Sequence, residues 1–156
     1  MNGKIFTLRN LYQSGTEKLE KAGIREAKLD AWYLLEYKTG ISRAVFFADP
    51  DREVEEEKAE SYQKDICTRA RRIPLQHITG EQEFMGLNFK VNENVLVPRQ
   101  DTEILVEEAL KRIRPDMQIL DMCTGSGCIL ESILKFGEKK QMHLKGTGCD
   151  ISEEAL

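Results

Sequence analysis

Proline is scarce in this 156-residue chain: Pro50, Pro74, Pro98 and Pro115 are its four prolines, and no two are adjacent. That spacing excludes a polyproline tract and leaves room for uninterrupted helices. Long apolar runs are missing as well. The longest near the middle, Ala44-Val45-Phe46-Phe47-Ala48, has five residues, whereas a membrane-crossing helix needs about 20. No apolar stretch of signal-peptide length opens the chain, and no Asn-x-Ser/Thr acceptor occurs. The four cysteines, Cys67, Cys123, Cys128 and Cys149, form no Cys-x-x-Cys pair, and no histidine stands at metal-ligand spacing from them. Free buried thiols in a cytoplasmic protein are expected, with no disulfide framework and no bound metal. Charge of one sign is not dominant: 23 Lys and Arg face 27 Asp and Glu, a net charge of −4. A mild acidic excess argues against a protein whose main task is gripping nucleic acid through a basic face.

What is present is a globular composition, 40% hydrophobic and 32% charged, with enough apolar surface for a core. Residues 1–73 read as a small helical bundle. Thr7 can cap a first helix whose apolar stripe is Leu8, Leu11, Gly15, Leu19 and Ala22, with Gly23 as its stop. A second helix is expected over 25–37 and a short one over 43–47. A fourth is expected over 52–72, acidic at its start (Glu55-Glu56-Glu57) and basic at its end (Arg69, Arg71, Arg72), as the helix dipole favours. Trp32, Tyr33, Leu34 and Leu35 are expected in the core, and so is the pair Phe46-Phe47, whose alternative is a small exposed patch.

Pro74 is read as the end of the helical pattern. Residues 74–100 then read as a linker carrying a β-hairpin: alternation over 84–91, a turn at Asn92-Glu93-Asn94, and a short run Val95-Leu96-Val97. A helix resumes at Asp101 or Thr102 and closes before Pro115. From there the order is strand (118–122), glycine turn, helix, and strand (145–151), the first crossover unit of a parallel sheet.

Chemistry concentrates at that turn. Asp121-Met122-Cys123-Thr124-Gly125-Ser126-Gly127 follows a strand and opens a helix. Glycines there let a ligand approach the backbone, and the helix start offers N–H donors. About 23 residues after Gly127, Asp150 ends the next strand, where a carboxylate can accept the hydroxyls of a ribose. A nucleoside-containing ligand accounts for both features; the bland alternative is a tight strand-to-helix bend with no ligand. A dinucleotide site would place a third glycine at position 130, where this chain has Leu130. That departure suits S-adenosylmethionine, which has no phosphate to cradle. His77 and His143 stand alone and read as structural, and no Ser/His/Asp or Cys/His arrangement has supporting spacing.

Three segments together resemble the peptide-chain release factor glutamine methyltransferases. They are Arg72-Ile73-Pro74-Leu75-Gln76-His77-Ile78-Thr79-Gly80, Val97-Pro98-Arg99-Gln100-Asp101-Thr102-Glu103-Ile104-Leu105-Val106-Glu107, and the glycine turn followed by Asp150-Ile151-Ser152-Glu153-Glu154-Ala155-Leu156. The resemblance covers 70–115 and 118–156; the helical start matches only in general pattern. It implies an α/β protein: an N-terminal helical bundle (1–73) that binds the partner, a β-hairpin linker (74–100), and over 101–156 the truncated start of a Rossmann-like, S-adenosylmethionine-dependent methyltransferase domain. It implies methyl transfer to the side-chain amide of the glutamine in the Gly-Gly-Gln loop of release factors. Cys123, Thr124, Gly125, Ser126 and Gly127 would lie along the cofactor, with Asp150 on its ribose. Cys123 stands where the family most often has glycine.

The family's Asn-Pro-Pro-Tyr motif, which orients the weakly nucleophilic amide, is absent here, since no two prolines adjoin. The expectation is therefore an N-terminal portion, inactive alone, to which no catalytic residue is assigned. Its last 40 residues are expected to be loosely held, because a parallel sheet needs cover on both faces. A methyltransferase for another amide or amine, and a stand-alone module docking a translation factor, are the rival readings.

Overall fold

The computed structural model describes residues 5–156, so the first four residues of the segment 1–73 lie outside it. The chain divides into two compact units, Met1–Thr79 and Gly80–Leu156. Among the described residues helices predominate, accompanied by three two-stranded sheets. Among the described residues no helix is long and apolar enough to cross a membrane.

In the first unit, strand β1 (Phe6–Thr7) runs directly into α1 (Leu8–Lys21). Thr7 is extended, and its hydroxyl accepts the Asn10 N–H at 3.3 Å, the cap expected from sequence. Helices α2 (Ala27–Thr39), α3 (Arg43–Ala48), α4 (Glu56–Ala70) and α5 (Leu75–Thr79) follow, with strand β2 (Glu53–Val54) between α3 and α4. Leu8, Leu11 and Leu19 of α1 bury with Ala31, Leu34 and Leu35 of α2 and with Tyr62 and Ile66 of α4. Gly15 belongs to this stripe for a steric reason. A Cβ there would collide with the Tyr62 hydroxyl, so α1 approaches α4 only where a side chain is missing. The Tyr62 hydroxyl, fully enclosed, donates to the Ala31 carbonyl at 3.4 Å, and burial pushes its phenol well above the usual range.

Several expectations for this unit are corrected. The fourth helix starts at Glu56 rather than Arg52, because Glu53 and Val54 pair antiparallel with Thr7 and Phe6. Its basic end does more than complement the helix dipole. Arg69 makes a largely buried ion pair with Asp30 of α2 at 2.7 Å, and Arg72 donates to the Ala22 carbonyl at 3.3 Å. Pro74 opens a helix instead of ending the helical pattern. His77 N–H donates to its carbonyl, and proline is compatible with a helix's first turn, where its missing N–H would have no partner anyway. Trp32, Leu34 and Leu35 are core residues, but Tyr33 is exposed; Phe46 packs on the core, but Phe47 is 76% exposed.

In the second unit β3 (Glu81–Phe84) pairs antiparallel with β4 (Leu87–Lys90). The turn is Met85-Gly86, not Asn92-Glu93-Asn94. Both turn residues have positive φ, +54° and +71°, the mirror-type geometry that matches the twist of a two-residue hairpin. Asn92 instead accepts the Asn94 N–H through its side chain, a local turn of its own. Val95-Leu96-Val97 forms no strand; Val95 is a buried anchor and Leu96 is exposed. A single 3-10 turn, Gln100–Thr102, leads into α6 (Glu103–Leu110). Neither Asp101 nor Thr102 caps it with a side chain; Thr102 is itself helical. Glu103 reaches out instead, its carboxylate accepting the Met85 N–H at 2.6 Å and tying α6 to the hairpin turn.

Strands β5 (Gln118–Met122) and β6 (Lys145–Cys149) are parallel, register Gln118↔Lys145 to Met122↔Cys149, with α7 (Cys128–Lys139) between them. Phe84, Val106, Cys128 and Ile133 form the core of this unit, with Ile119 packed against it. Along β5, Ile119 and Asp121 are half-buried while Leu120 and Met122 are exposed. The second strand ends at Cys149, two residues early, and Glu153–Ala155 is a 3-10 turn.

Candidate functional site

The turn joining β5 to α7 meets the end of β6, and backbone geometry explains its small residues. Cys123, Gly125 and Gly127 have φ of +61°, +53° and +73°. Left-handed backbone is free for the two glycines and costs about 1 kcal/mol at Cys123. A glycine at that position, which the resemblance leads one to expect, would adopt this backbone without strain. Space beside Gly125 is open: a Cβ there would meet nothing within 4 Å.

Hydrogen bonds fasten the turn to both strands. Thr124 N–H donates to the Cys149 carbonyl at 3.0 Å, and Gly127 N–H donates to the Thr124 carbonyl at 2.9 Å. Gly125 N–H donates to one oxygen of Asp150 at 2.8 Å, and Ser152 N–H donates to the other at 3.0 Å. These donors hold the Asp150 carboxyl below the usual carboxylate range. A carboxylate has about four acceptor positions, more than the backbone N–H groups of Ser152, Gly125 and Ile151 that act on this one, so acceptor capacity remains for another ligand. The Thr124 hydroxyl donates to Asp121 at 2.7 Å. Three loop N–H groups are thus engaged within the protein, which leaves the turn a poor cradle for a pyrophosphate. Local charge points the same way. Residues 118–134 and 146–156 contain Asp121, Glu131, Asp150, Glu153 and Glu154 but no Lys or Arg. Such a surface repels phosphates and attracts cations.

Of the residues singled out from sequence, Gly125 and Asp150 are brought into direct contact, and Thr124 links β5 to β6. The Cys123 thiol is exposed, whereas Cys128 at the start of α7 is buried, which pushes its thiol up. Sequence reasoning missed the contact between Thr124 and Gly148, and the clip from Glu103 to Met85. A Cβ at 148 would lie 3.0 Å from both Thr124 Oγ1 and Cγ2. Its only advance signal was the glycine in a strand.

Residues 10–80 match the family model described as the PrmC N-terminal domain. Three curated relatives carry the name release factor glutamine methyltransferase. The protein of Geobacter sulfurreducens is 37% identical over 132 residues, 85% of this chain and 46% of its own length. Those of Caulobacter vibrioides and Koribacter versatilis are each 37% identical over 152 residues, 96% of this chain and 51% and 53% of theirs. The chain spans about half the length of the curated relatives it matches.

Proposed function

Because this chain belongs to the release factor glutamine methyltransferase family, we propose that the protein it represents methylates the glutamine side-chain amide in the Gly-Gly-Gln loop of a peptide-chain release factor, in the cytoplasm. The observation that carries this reading is the turn between β5 and α7: its Thr124, Gly125 and Gly127 N–H groups are engaged internally, its surroundings are acidic, and Asp150 keeps acceptor capacity. A site of that kind fits a nucleoside with a positive charge and no phosphate. S-Adenosylmethionine is such a ligand, and when bound it supplies an electrophilic methyl group.

In this reading 101–156 is the start of a Rossmann-like methyltransferase domain. Cys123, Thr124, Gly125, Ser126 and Gly127 line the cofactor, and Asp150 accepts its ribose hydroxyls while holding Gly125 in place. Residues 1–73 bind the protein partner, with the exposed Phe47 of α3 available to it, and 74–100 form the linker with the hairpin. No residue of this chain is assigned to the transfer step. The amide nitrogen needs an acceptor for its N–H and an aimed approach, and the Asn-Pro-Pro-Tyr motif that supplies them in the family is absent from residues 1–156. These residues by themselves are proposed to be inactive.

The test is transfer of a labelled methyl group from S-adenosylmethionine to a release factor by the complete gene product. Label on the Gly-Gly-Gln glutamine supports the reading. Calorimetry that detects a pyridine nucleotide but no S-adenosylmethionine would overturn it.

A further inference from the structure

A cavity of about 230 Å³ lies between α1 and α4, with Ser14, Lys18, Gln63 and Cys67 among its walls. There the Lys18 Nζ donates to the Cys67 Sγ at 2.8 Å, joining residues 49 positions apart in sequence. Both side chains belong to exposed residues. A nucleophilic sulfur, a fixed ammonium and an adjoining space therefore meet in one place, open to solvent. An ammonium that donates to a sulfur favours its negatively charged, nucleophilic form and draws anions toward it.

The surroundings strengthen that bias. Residues three or four apart on a helix share a face, so Lys64 and Arg71 flank Cys67 on α4 and Lys21 follows Lys18 on α1. The nearest acidic residues in sequence are engaged elsewhere: Glu17 accepts from Gln13, and Asp65 pairs with Lys38. Exposure alone does not single out Cys67, since Cys123 is exposed too. Cys123, however, sits in the acidic surroundings of the glycine turn, where no Lys or Arg lies in 118–134 or 146–156.

We propose that Cys67, with Lys18 beside it, is a modification site that takes an anionic low-molecular-weight disulfide. Cys67, its proton released to water, attacks one sulfur of the disulfide. A mixed disulfide forms at Cys67, the original S–S bond breaks, and the other half leaves as a thiolate with the electron pair. Cys67 is oxidised and the leaving half is reduced, so no further oxidant is needed. Lys18 is unchanged by the step; it holds the sulfur and attracts the anion. The cavity gives the attached half room beside the helices. This site is independent of the methyl-transfer reading.

The test exposes the complete gene product to two disulfides of opposite charge, dithiobis(nitrobenzoate) and cystamine. Modification of Cys67 is followed by mass spectrometry of its peptide, and each rate is divided by that of a neutral cysteine peptide. The wild-type protein is expected to prefer the anionic reagent. Lys18→Gln should lower that preference about fivefold, the effect of one unit charge at contact distance in water, whereas Lys18→Arg should keep it. Raising the salt concentration should shrink the wild-type preference, which decides the matter if Lys18→Gln does not fold. Equal normalised rates with both reagents, a preference that Lys18→Gln leaves intact, or one that salt does not reduce overturns the proposal. So does a Cys67 that neither reagent modifies.

Discussion

Replacing Gly15 by alanine inserts one methyl group into the closest approach of α1 to α4, and its cost follows from the contacts there. The new Cβ would collide with the Tyr62 hydroxyl and lie 2.9 Å from Tyr62 Cζ and 3.1 Å from Ile66 Cδ1. Tyr62 is fully buried and hydrogen-bonded to the Ala31 carbonyl, so its ring cannot yield without losing that bond. Overpacking of a tight core costs about 1–3 kcal/mol, and a lost buried hydrogen bond about 1 kcal/mol. Alanine's better helix propensity returns about 0.5–1 kcal/mol. The net expectation is a loss of about 2 kcal/mol. In a unit of this size that lowers the midpoint by roughly 8–16 °C. Trp32, the chain's one tryptophan, is 4% exposed in the same core, so its fluorescence during urea unfolding reports this unit directly. Tyr62→Phe alone removes the hydroxyl at a cost of about 1 kcal/mol. Combined with Gly15→Ala it also removes the main collision, so the double variant should be less destabilised than the sum of the singles. Strict additivity, or a Gly15→Ala protein as stable as the parent, would refute the steric account.

Removing the Glu103 carboxylate by Glu103→Ala should loosen the hairpin turn by about 1–2 kcal/mol, read as faster amide exchange at Met85. Cys123→Gly should stabilise the second unit by about 1 kcal/mol, because the backbone there is left-handed; a melting curve checks it. The contacts between Asp150 and the N–H groups of Gly125 and Ser152 should persist in mild acid. The carboxyl is held below its ordinary value of 3.8, so the stability it adds is present above about pH 4 and is lost only as pH falls through its lowered folded value. Gly125 and Ser152 amide shifts that move near pH 5 would contradict this.

Helix periodicity and caps were legible wherever local chemistry decided the outcome. Thr7 as a cap, the stripe on α1, and the order strand, turn, helix, strand over 118–149 all followed from residue spacing. Features decided by partners distant in sequence were not legible. Glu53 and Val54 read as helix because only pairing with Phe6 and Thr7 withdraws them from it. The hairpin turn was misplaced because Asn92-Glu93-Asn94 looks more turn-like than Met85-Gly86, whose positive φ at methionine is supported by Glu103, 18 residues away. At the glycine turn, composition pointed to Gly125 and Asp150, but the partnership of Thr124 with Gly148 depends on strand register and had no signature of its own.

The alternation along β5 divides one short strand between two separate duties. Ile119 and Asp121 answer to α7 and to the glycine turn, while Leu120 and Met122 lie on the opposite side with more than three-fifths of their surface bare. Polar replacements at 120 and 122 would therefore change how this unit behaves toward other molecules while leaving the internal fastening of the turn as it is. The two sets of positions can be altered one at a time.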